Sequence, residues 1–205
     1  RSVAMPADRT PVTRLLVVRH GQSEWNAAGR WQGRADPPLT MEGQRQAAAA
    51  ARALGAFDAV VSSPLLRAAE TATIISEHLG IGPVLVETDL MERDAGEWQG
   101  LTRGQIETDW PSYLEQGKRP PGYEPDQVML DRVMAALDRV VQQASGGEVL
   151  VVAHGGVVYS LEEACGEPWR RIPNLGARWF EIADGRLSVG PRVELIPDGT
   201  LPDVL

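Results

Sequence analysis

The sequence contains little cysteine and no long apolar run, and both shortages exclude whole classes of protein. A single cysteine, Cys165, among 205 residues excludes an intrachain disulfide framework and a cysteine-rich zinc site. No segment approaches the roughly 20 apolar residues that span a bilayer. The first residues are polar and lack the apolar region of a secretory signal. We therefore expect a cytoplasmic protein that has no membrane partner.

The chain also lacks an excess of positive charge. It has 20 basic and 28 acidic residues, a net charge of −8, and Lys118 as its one lysine. A protein that binds nucleic acid over a broad surface usually carries the opposite charge. We therefore expect no nucleic-acid partner.

The length and composition predict one domain. Hydrophobic residues make up 43% of the 205 residues, which suits a single packed core. We expect that domain to cover 14–205, after an N-terminal extension (1–13) that is either disordered or partly foreign to the natural chain. The strongest loop signal is 116–125 (QGKRPPGYEP). Because neither half of the chain holds its own core pattern, we interpret 111–126 as a loop or lid insert rather than a linker.

Short apolar runs alternate with longer helical stretches along the chain. The predicted strands are 15–18, 59–61, 84–86, 149–153 and a final pair within 178–195 that turns at Asp184-Gly185. The predicted helices follow Thr40, follow Ser63-Pro64 as far as Gly80, and cover 101–110, 126–143 and 157–165. Such alternation predicts a three-layer α/β/α sandwich with a mostly parallel central sheet.

Chemically capable side chains follow several of these strands. Ligands of parallel α/β sheets gather beyond the carboxyl ends of the strands. Each residue alone is more often structural, since a histidine at a strand end is usually only hydrogen-bonded and an arginine usually ion-paired. Their combination is less ordinary, because two histidines share the context strand, His, Gly. The residues sent to this edge are Arg19, His20, Arg67, Glu92 and His154.

These side chains suit phosphate chemistry. Arginines bind phosphate oxygens with two parallel hydrogen bonds, and a neutral histidine can attack phosphorus. A carboxylic acid can protonate the leaving oxygen and then activate water. The sequence has no GxxxxGK[ST] loop and no aspartate-rich metal cluster. A metallohydrolase that uses His20, His154 and Glu92, and a non-catalytic module on the same fold, are the weaker alternatives.

Four ordered motifs resemble those of the histidine phosphatase superfamily, also called phosphoglycerate mutase-like. The first is 19–26 (RHGQSEWN), similar to the family signature RHGxSxxN, and it continues through 31–33 (WQG) and 36–40 (DPPLT). The others are 62–71 (SSPLLRAAET), Glu92 with 96–100 (GEWQG), and 154–156 (HGG). An RHG alone would be weak evidence, whereas four ordered motifs across 15–156 are specific.

The resemblance implies a role for each matching residue and the phosphoglycerate mutase-like form of the sandwich. His20 would be the nucleophile that becomes phosphohistidine, and Glu92 the proton donor. Arg19 and Arg67 would bind the phosphoryl oxygens, and His154 would complete their pocket and stabilise the transition state. The remaining substrate-binding or phosphate-binding candidates are Asn26, Gln32, Gly33, Gly155 and Arg93. The resemblance implies no metal and no cofactor, and a homodimer is left open.

The family contains both phosphatases and mutases. Arg93 and Arg103 lie in a run similar to the mutase motif ERxxGxxxGLNK, where they would bind a substrate carboxylate or simply face solvent. The mutase arginine–serine block is missing, and 118–121 (KRPP) is at best distantly similar. Glu124 in 122–125 (GYEP) matches a GGES-like phosphatase turn whose other residues differ. We therefore predict a metal-independent phosphatase of a small phosphorylated metabolite, with a phosphoglycerate mutase activity as the alternative.

Three tryptophans lie close to the motifs and would form either apolar walls for a leaving group or part of the core. They are Trp25, Trp31 and Trp98.

Overall fold

The computed structural model describes residues 12–197, which form a six-stranded mixed sheet between two layers of helices. The strand order is β3-β2-β4-β1-β5-β6. The strands are β1 (Thr13–Arg19), β2 (Ala59–Ser62), β3 (Leu85–Val86), β4 (Gly147–Ala153), β5 (Gly176–Ala183) and β6 (Arg186–Glu194). The helices are α1 (Glu24–Ala27), α2 (Met41–Ala53), α3 (Leu66–Leu79), α4 (Arg103–Asp109), α5 (Asp126–Ala144) and α6 (Gly155–Ala164), with 3-10 turns at Thr88–Leu90 and Gly96–Trp98.

The first four strands of the sheet run in the same direction. β4 pairs in parallel with both β1 and β2, and β3 pairs in parallel with β2. Arg19 lies opposite Ala153, and Ser62 lies opposite Val152. This register brings the carboxyl ends of β1, β2 and β4 to one edge of the sheet, as the sequence pattern predicts.

Both faces of the parallel strands are buried, which explains their continuous apolar runs. On one face Val17 and Val151 belong to the same buried cluster as Leu137 of α5 and Leu161 of α6. On the other face Val18 and Val152 pack with alanines of α2 and α3. The predicted three-layer α/β/α sandwich is therefore confirmed. Among the six strands of the described residues, β5 runs in the direction opposite to the other five.

Local signals define several element ends. The side chain of Thr40 accepts a hydrogen bond from the Gly43 N–H at 3.0 Å, so it is the N-cap of α2. Gly80 ends α3 with a left-handed φ of 65°. Asp184 and Gly185 both have positive φ in the tight turn between β5 and β6.

The predicted start of α3 is wrong. Ser63-Pro64 was expected to cap the helix, but the N-cap position is Leu65, which makes no side-chain cap hydrogen bond. The Ser63 hydroxyl lies 2.7 Å from Nε2 of His154, besides accepting the Leu65 N–H at 3.3 Å. The Leu66 N–H instead donates to the carboxylate of Asp36 at 2.5 Å. A carboxylate from a distant loop thus accepts a backbone N–H of the first turn of the helix.

The region predicted as an insert packs on its own small apolar cluster. Trp31, Trp98 and Ile106 are its buried members, and Tyr113 and Tyr123 pack against them. The backbone at Gly96 lies in close contact with the backbone at Pro121, because a Cβ on Gly96 would lie 2.3 Å from the carbonyl oxygen of Pro121. The insert is thereby held against the segment that follows Glu92.

The remaining predicted elements are present, with ends that differ by one or two residues. Most of the predicted N-terminal extension lies outside the described residues, and β1 begins at Thr13. Within 12–197, no helix is long and apolar enough to cross a membrane.

Candidate active site

Two histidines meet at the carboxyl edge of the sheet. His20 directly follows β1 and His154 directly follows β4, and these strands are neighbours. Their ring centroids are 5.3 Å apart, with the ring planes at 63°. Both side chains are buried. The shared context of strand, His, Gly thus produces one site rather than two.

The hydrogen bonds of His20 define its tautomer. Nδ1 lies 2.6 Å from the carbonyl oxygen of Gly21, which can only accept, so Nδ1 carries the proton. Nε2 accepts a hydrogen bond from Nε of Arg67 at 3.2 Å. Burial, followed by the charges of Arg67 and Arg19, lowers the pKa of His20 well below its usual value. The ring is therefore neutral at physiological pH, with the Nε2 lone pair unprotonated.

Arg67 is held in a fixed orientation by two backbone carbonyls. Its terminal nitrogens donate to Ala35 at 2.7 Å and to Gly33 at 2.9 Å. Burial lowers the pKa of Arg67 to about 10, so the guanidinium stays charged at neutral pH. Gly33 adopts a φ of 52°, and a Cβ there would lie 2.9 Å from Ala95. The loop that orients Arg67 therefore requires glycine at this position.

Arg19 reaches the same cavity from the end of β1. Its Nη1 donates to the carbonyl of Ile172 at 2.7 Å. Its Nε is buried and has no hydrogen-bond partner among the described residues. Burial lowers the pKa of Arg19. Arg19 and Arg67 thus bring two charged guanidinium groups to one buried site, as the sequence predicted.

His154 is completely buried and faces a hydroxyl group. Its Nε2 lies 2.7 Å from Oγ of Ser63, while Nδ1 has no hydrogen-bond partner among the described residues. Burial, together with the positive charge of Arg67, lowers the pKa of His154 well below the usual value. His154 is therefore also neutral at physiological pH.

Glu92 follows β3 and the 3-10 turn at Thr88–Leu90, and its carboxyl group lies against the start of α6, the helix that directly follows His154. Its Oε2 accepts the Gly156 N–H at 3.1 Å, and its Oε1 accepts the Arg93 N–H at 2.7 Å. A Cβ on Gly156 would lie only 2.1 Å from Oε1. The second glycine of the HGG motif therefore provides the space that this carboxyl group occupies.

Two polar side chains near α1 keep their amide groups available. The Oδ1 atom of Asn26 accepts the Ser23 N–H at 3.2 Å and an N–H of Asn174 at 3.3 Å. The Oε1 atom of Gln32 accepts the Ser23 hydroxyl at 2.6 Å. Both residues line the cavity, and within residues 12–197 neither NH₂ group donates a described hydrogen bond, so both can donate to a ligand there.

One cavity of about 250 Å³ collects these groups. Of the predicted site residues, all of which lie in the described part of the chain, only His154 is not among those that line it. The lining residues that the sequence analysis predicted are Arg19, His20, Asn26, Gln32, Gly33, Arg67, Glu92, Arg93 and Gly155.

Several lining residues lie outside the predicted set. Arg30, Arg119 and Tyr123 come from loops, and Tyr159 and Trp169 form an aromatic pair with centroids 5.8 Å apart. Arg119 lies in the segment 116–125. The sequence pattern predicted this segment as a loop but did not indicate Arg119 as a site residue. Asn174 was also missed, although its amide donates to the His20 carbonyl at 3.0 Å. No local pattern marks Asn174, because its partners are distant in the chain.

The tryptophans divide between the two roles considered for them. Trp31 lines the cavity, and Trp98 is fully buried in the small cluster, with ring centroids 5.1 Å apart. Trp25 lies against Gly100, where an added Cβ would be 3.3 Å from its ring. Trp31 therefore belongs both to the cavity wall and to the small buried cluster, whereas Trp98 belongs to the cluster and does not line the cavity.

The two arginines of the mutase-like run, Arg93 and Arg103, lie in different places. Arg93 lines the cavity, where it pairs with Asp126 at 2.7 Å and donates to the Glu124 carbonyl at 2.8 Å. Arg103 pairs with Glu107 at 2.8 Å along the exposed face of α4. Of the two, Arg93 lines the cavity and Arg103 is not among its lining residues.

The metal alternative has no ready set of ligands in the described residues. Between residues 12 and 197, no group of three or more His, Cys, Asp or Glu side chains is arranged to hold an ion.

Comparison with known proteins identifies the class of this fold and site. The model of the histidine phosphatase superfamily (branch 1) matches residues 15–189. The chain belongs to that superfamily, as its motifs predicted.

The matched relatives include named phosphatases. The chain is 35% identical over 191 residues to a glucosyl-3-phosphoglycerate phosphatase of Mycolicibacterium vanbaalenii, covering 84% of each chain. It is 37% identical over 160 residues to a metal-independent phosphoserine phosphatase of Arabidopsis thaliana, covering 73% of this chain and 67% of the relative. It is also 41% identical over 150 residues to a bifunctional protein of Mycobacterium tuberculosis, covering 69% of this chain but 41% of that protein.

The solved structures give the same classification. A mycobacterial glucosyl-3-phosphoglycerate phosphatase superposes with a TM-score of 0.77 at 29% identity, covering 87% of this chain and 97% of the other. The predicted fold class is thus confirmed, and the names of the relatives agree with the predicted phosphatase activity.

Proposed function

We propose that this protein hydrolyses a small phosphomonoester through a phosphohistidine intermediate at His20. The proposal rests on the tautomer and the neutral charge of the His20 ring. The Gly21 carbonyl binds the Nδ1 proton, and Arg67 faces Nε2 at the edge of the cavity. A neutral imidazole with a fixed tautomer, beside two guanidinium groups, has the properties of a nucleophile toward a phosphate dianion.

The first step transfers the phosphoryl group to His20. The Nε2 lone pair attacks phosphorus and forms an N–P bond, while the P–O bond to the leaving group breaks. Glu92 in its acid form donates its proton to the departing oxygen, which leaves as an alcohol. The positive charge that develops on the ring is stabilised through the Nδ1–H bond to the Gly21 carbonyl.

The phosphoryl oxygens are bound by donors from several loops. Arg19 and Arg67 supply charged N–H groups, and the amides of Asn26 and Gln32 supply neutral ones. We assign His154, which is buried beside His20 and does not line the cavity, to stabilising the transition state. The backbone N–H groups at the start of α6, from Gly155 onward, would bind a phosphoryl oxygen.

The second step returns the enzyme to its starting state. Glu92, now a carboxylate, takes a proton from water as the water oxygen attacks phosphorus. The N–P bond breaks, its electron pair returns to Nε2, and inorganic phosphate leaves. His20 is again neutral and Glu92 is again an acid, so the cycle needs no cofactor.

The outer cavity supports a polar metabolite as the substrate. Arg30 and Arg119 provide positive charge beyond the phosphate pocket, where Arg93 is paired with Asp126, and Trp31 and Trp169 provide aromatic walls. The relatives named for glucosyl-3-phosphoglycerate and phosphoserine support a leaving group that carries a carboxylate. Those names also favour hydrolysis over the mutase alternative, which the cavity position of Arg93 keeps open.

A panel of phosphorylated metabolites tests this proposal. We expect release of inorganic phosphate, ranked by kcat/KM, and an acid-labile, base-stable phosphoenzyme that His20→Ala abolishes. 3-Phosphoglycerate belongs in the panel, with assays for both phosphate and 2-phosphoglycerate. Isomerisation without phosphate release would establish the mutase instead, and turnover retained by His20→Ala would refute the nucleophile.

A chelator separates the histidine mechanism from a metallohydrolase. We propose metal-independent turnover, in keeping with the relative named as a metal-independent phosphatase, so EDTA should leave kcat unchanged. The cytoplasmic location and the absence of nucleic-acid partners stay predictions from the sequence.

A further inference from the structure

A buried ion pair lies directly behind the segment that carries Glu92. Glu124, just before α5, and Arg132, within α5, form two parallel hydrogen bonds of 2.7 and 2.8 Å. Their side chains are only 6% and 13% exposed. Burial raises the pKa of Glu124, but the charges of Arg132 and Arg34 outweigh it and the net pKa is lowered. The pair is therefore ionised and fixed in orientation.

The other N–H groups of Arg132 hold the backbone next to Glu92. Nη1 donates to the carbonyls of Asp89 and Met91 at 2.6 and 2.7 Å. Nη2 donates to the carbonyl of Glu92 itself at 3.2 Å. One guanidinium group thus satisfies three carbonyls in a single short turn.

Glu124 holds the same segment from its far side. Its backbone N–H donates to the Asp94 carbonyl at 3.0 Å, and its carboxylate accepts the Asp94 N–H at 3.3 Å. The backbone is therefore fixed both before and after Glu92. Buried ion pairs often contribute little net stability compared with apolar residues. Here the ion pair instead fixes the position of the backbone on both sides of Glu92.

We propose that Arg132, oriented by Glu124, is a positioning residue that places the Glu92 carboxyl group for proton transfer to the leaving oxygen. This inference rests on the proposed function, in which Glu92 is the proton donor. Neither Arg132 nor Glu124 is among the cavity-lining residues, so both act through Glu92. Loss of the guanidinium would leave three carbonyls without their donor and allow the turn, and with it Glu92, to shift.

The chain offers a matched control on the same helix. Arg139, two turns further along α5, pairs with the side chains of Glu87 and Asp89 at 2.8 and 2.7 Å. It approaches the same segment as Arg132 but from an exposed position, and within the described residues it donates only to the carboxylates of Glu87 and Asp89. Arg139→Met therefore removes an ion pair to this segment without removing support from the backbone carbonyls.

The test compares two leaving groups of similar shape. Phenyl phosphate needs its leaving oxygen protonated, whereas p-nitrophenyl phosphate needs this far less. We expect Arg132→Met to lower kcat/KM for phenyl phosphate about 10- to 100-fold, as misplacement of a catalytic group does. The value for p-nitrophenyl phosphate should fall less than about 3-fold, and Arg139→Met should change neither. kcat/KM is the correct quantity because it reports phosphoryl transfer to His20 and not the later hydrolysis.

A second variant protects the test from a folding failure. Arg132→Lys keeps the charge, but its single ammonium cannot bond Glu124 twice and also reach three carbonyls. We expect it to fold, by circular dichroism, and to show the same selective loss. Equal losses on both esters, or no loss on either, in a folded Arg132 variant would overturn the positioning role.

Coupling to Glu92 separates this proposal from the function on which it rests. Glu92→Gln should itself lose activity selectively on phenyl phosphate. In the double variant, Arg132→Met should then add no further loss on phenyl phosphate, because a group that acts through Glu92 has nothing left to position. An additive loss would overturn the positioning role alone. Equal losses on both esters for Glu92→Gln would overturn the proton-donor role and the positioning role together.

Discussion

The guanidinium of Arg67 lies 3.2 Å from Nε2 of His20 and directs its Nε–H at that atom. The same group holds the carbonyls of Gly33 and Ala35, so its position does not depend on a ligand. A fixed cation at this distance opposes protonation of the ring, and complete burial opposes it further. The arrangement maintains a neutral histidine next to the groups that would bind a phosphate.

The pH dependence of activity should reflect that relationship. Attack needs a neutral His20, and its pKa is lowered, so activity should persist as the pH falls below the ordinary histidine value of about 6.5. We expect the acid limb of kcat/KM well below that pH, measured after correction for the substrate phosphate, whose second pKa is about 6. A corrected limb that remains near 6.5 would contradict the assignment.

The same lowered pKa values predict a pH-dependent stability. His20 and His154 take up protons near pH 6.5 only when the chain is unfolded, so the free energy of unfolding should decrease as the pH falls below that value. Urea unfolding at pH 7.5 and 5.5 measures this difference. We expect His154→Asn to make the difference smaller, whatever its effect at either single pH. An unchanged difference would show that His154 does not contribute.

Gly156→Ala should displace the Glu92 carboxyl group. The added Cβ would lie 2.1 Å from Oε1, a distance that requires movement of the carboxylate. We expect at least a 10-fold loss in kcat/KM for phenyl phosphate, since small misplacements cost up to about 100-fold. Gly104→Ala is the control, because within the described residues its added Cβ, on the exposed start of α4, would meet nothing within 4 Å beyond its chain neighbours and its own helix backbone. Activity that survives in Gly156→Ala would mean that Glu92 tolerates another position.

Asp36→Ala should weaken both the start of α3 and the site. The carboxylate accepts the Leu66 N–H, one residue before Arg67, and loss of such a cap costs about 1 kcal/mol. We expect that loss of stability together with a higher KM, because Arg67 is carried on the same turn. Thr102→Ala removes the N-cap of α4, which carries none of the predicted catalytic residues, at a similar cost of about 1 kcal/mol. If both variants alter KM equally, the effect is one of general stability.

Trp169→Ala should narrow the range of good substrates. Trp169 is 59% exposed, lines the cavity and lies beside Tyr159. Aromatic contacts of this kind are worth about 0.5–1.5 kcal/mol, so kcat/KM should fall about 2- to 12-fold for esters with a large leaving group. An ester of a small alcohol offers little surface for an aromatic contact, so its kcat/KM should change much less. Equal losses for large and small esters would show that Trp169 does not contribute to substrate specificity.

The local pattern predicts the strands and most helix ends because these depend on nearby residues. Thr40 caps α2 through a residue three positions away, and Gly80 ends α3 by its own backbone freedom. The start of α3 could not be predicted in this way. Its cap is Asp36, 30 residues earlier, and Ser63 contacts His154 instead.

The candidate site likewise combines residues that the local pattern predicts with residues that only the folded chain brings together. Its motif residues follow strands, so their meeting at one edge follows from the alternation of elements. Asn174, Arg132 and the aromatic pair of Tyr159 and Trp169 carry no local signal, because their partners become neighbours only in the folded chain.

The amino-acid sequence by itself determined the parallel strands, the edge at which they end, and the presence there of His20, His154 and Arg19. Apolar runs and the glycines after each histidine are local properties, and they suffice for this. Only the tertiary structure decided the tautomer and charge of His20 and the position of Glu92. Those depend on burial and on hydrogen bonds between segments far apart in the chain, from Arg67 to His20 and from Arg132 to the Glu92 turn.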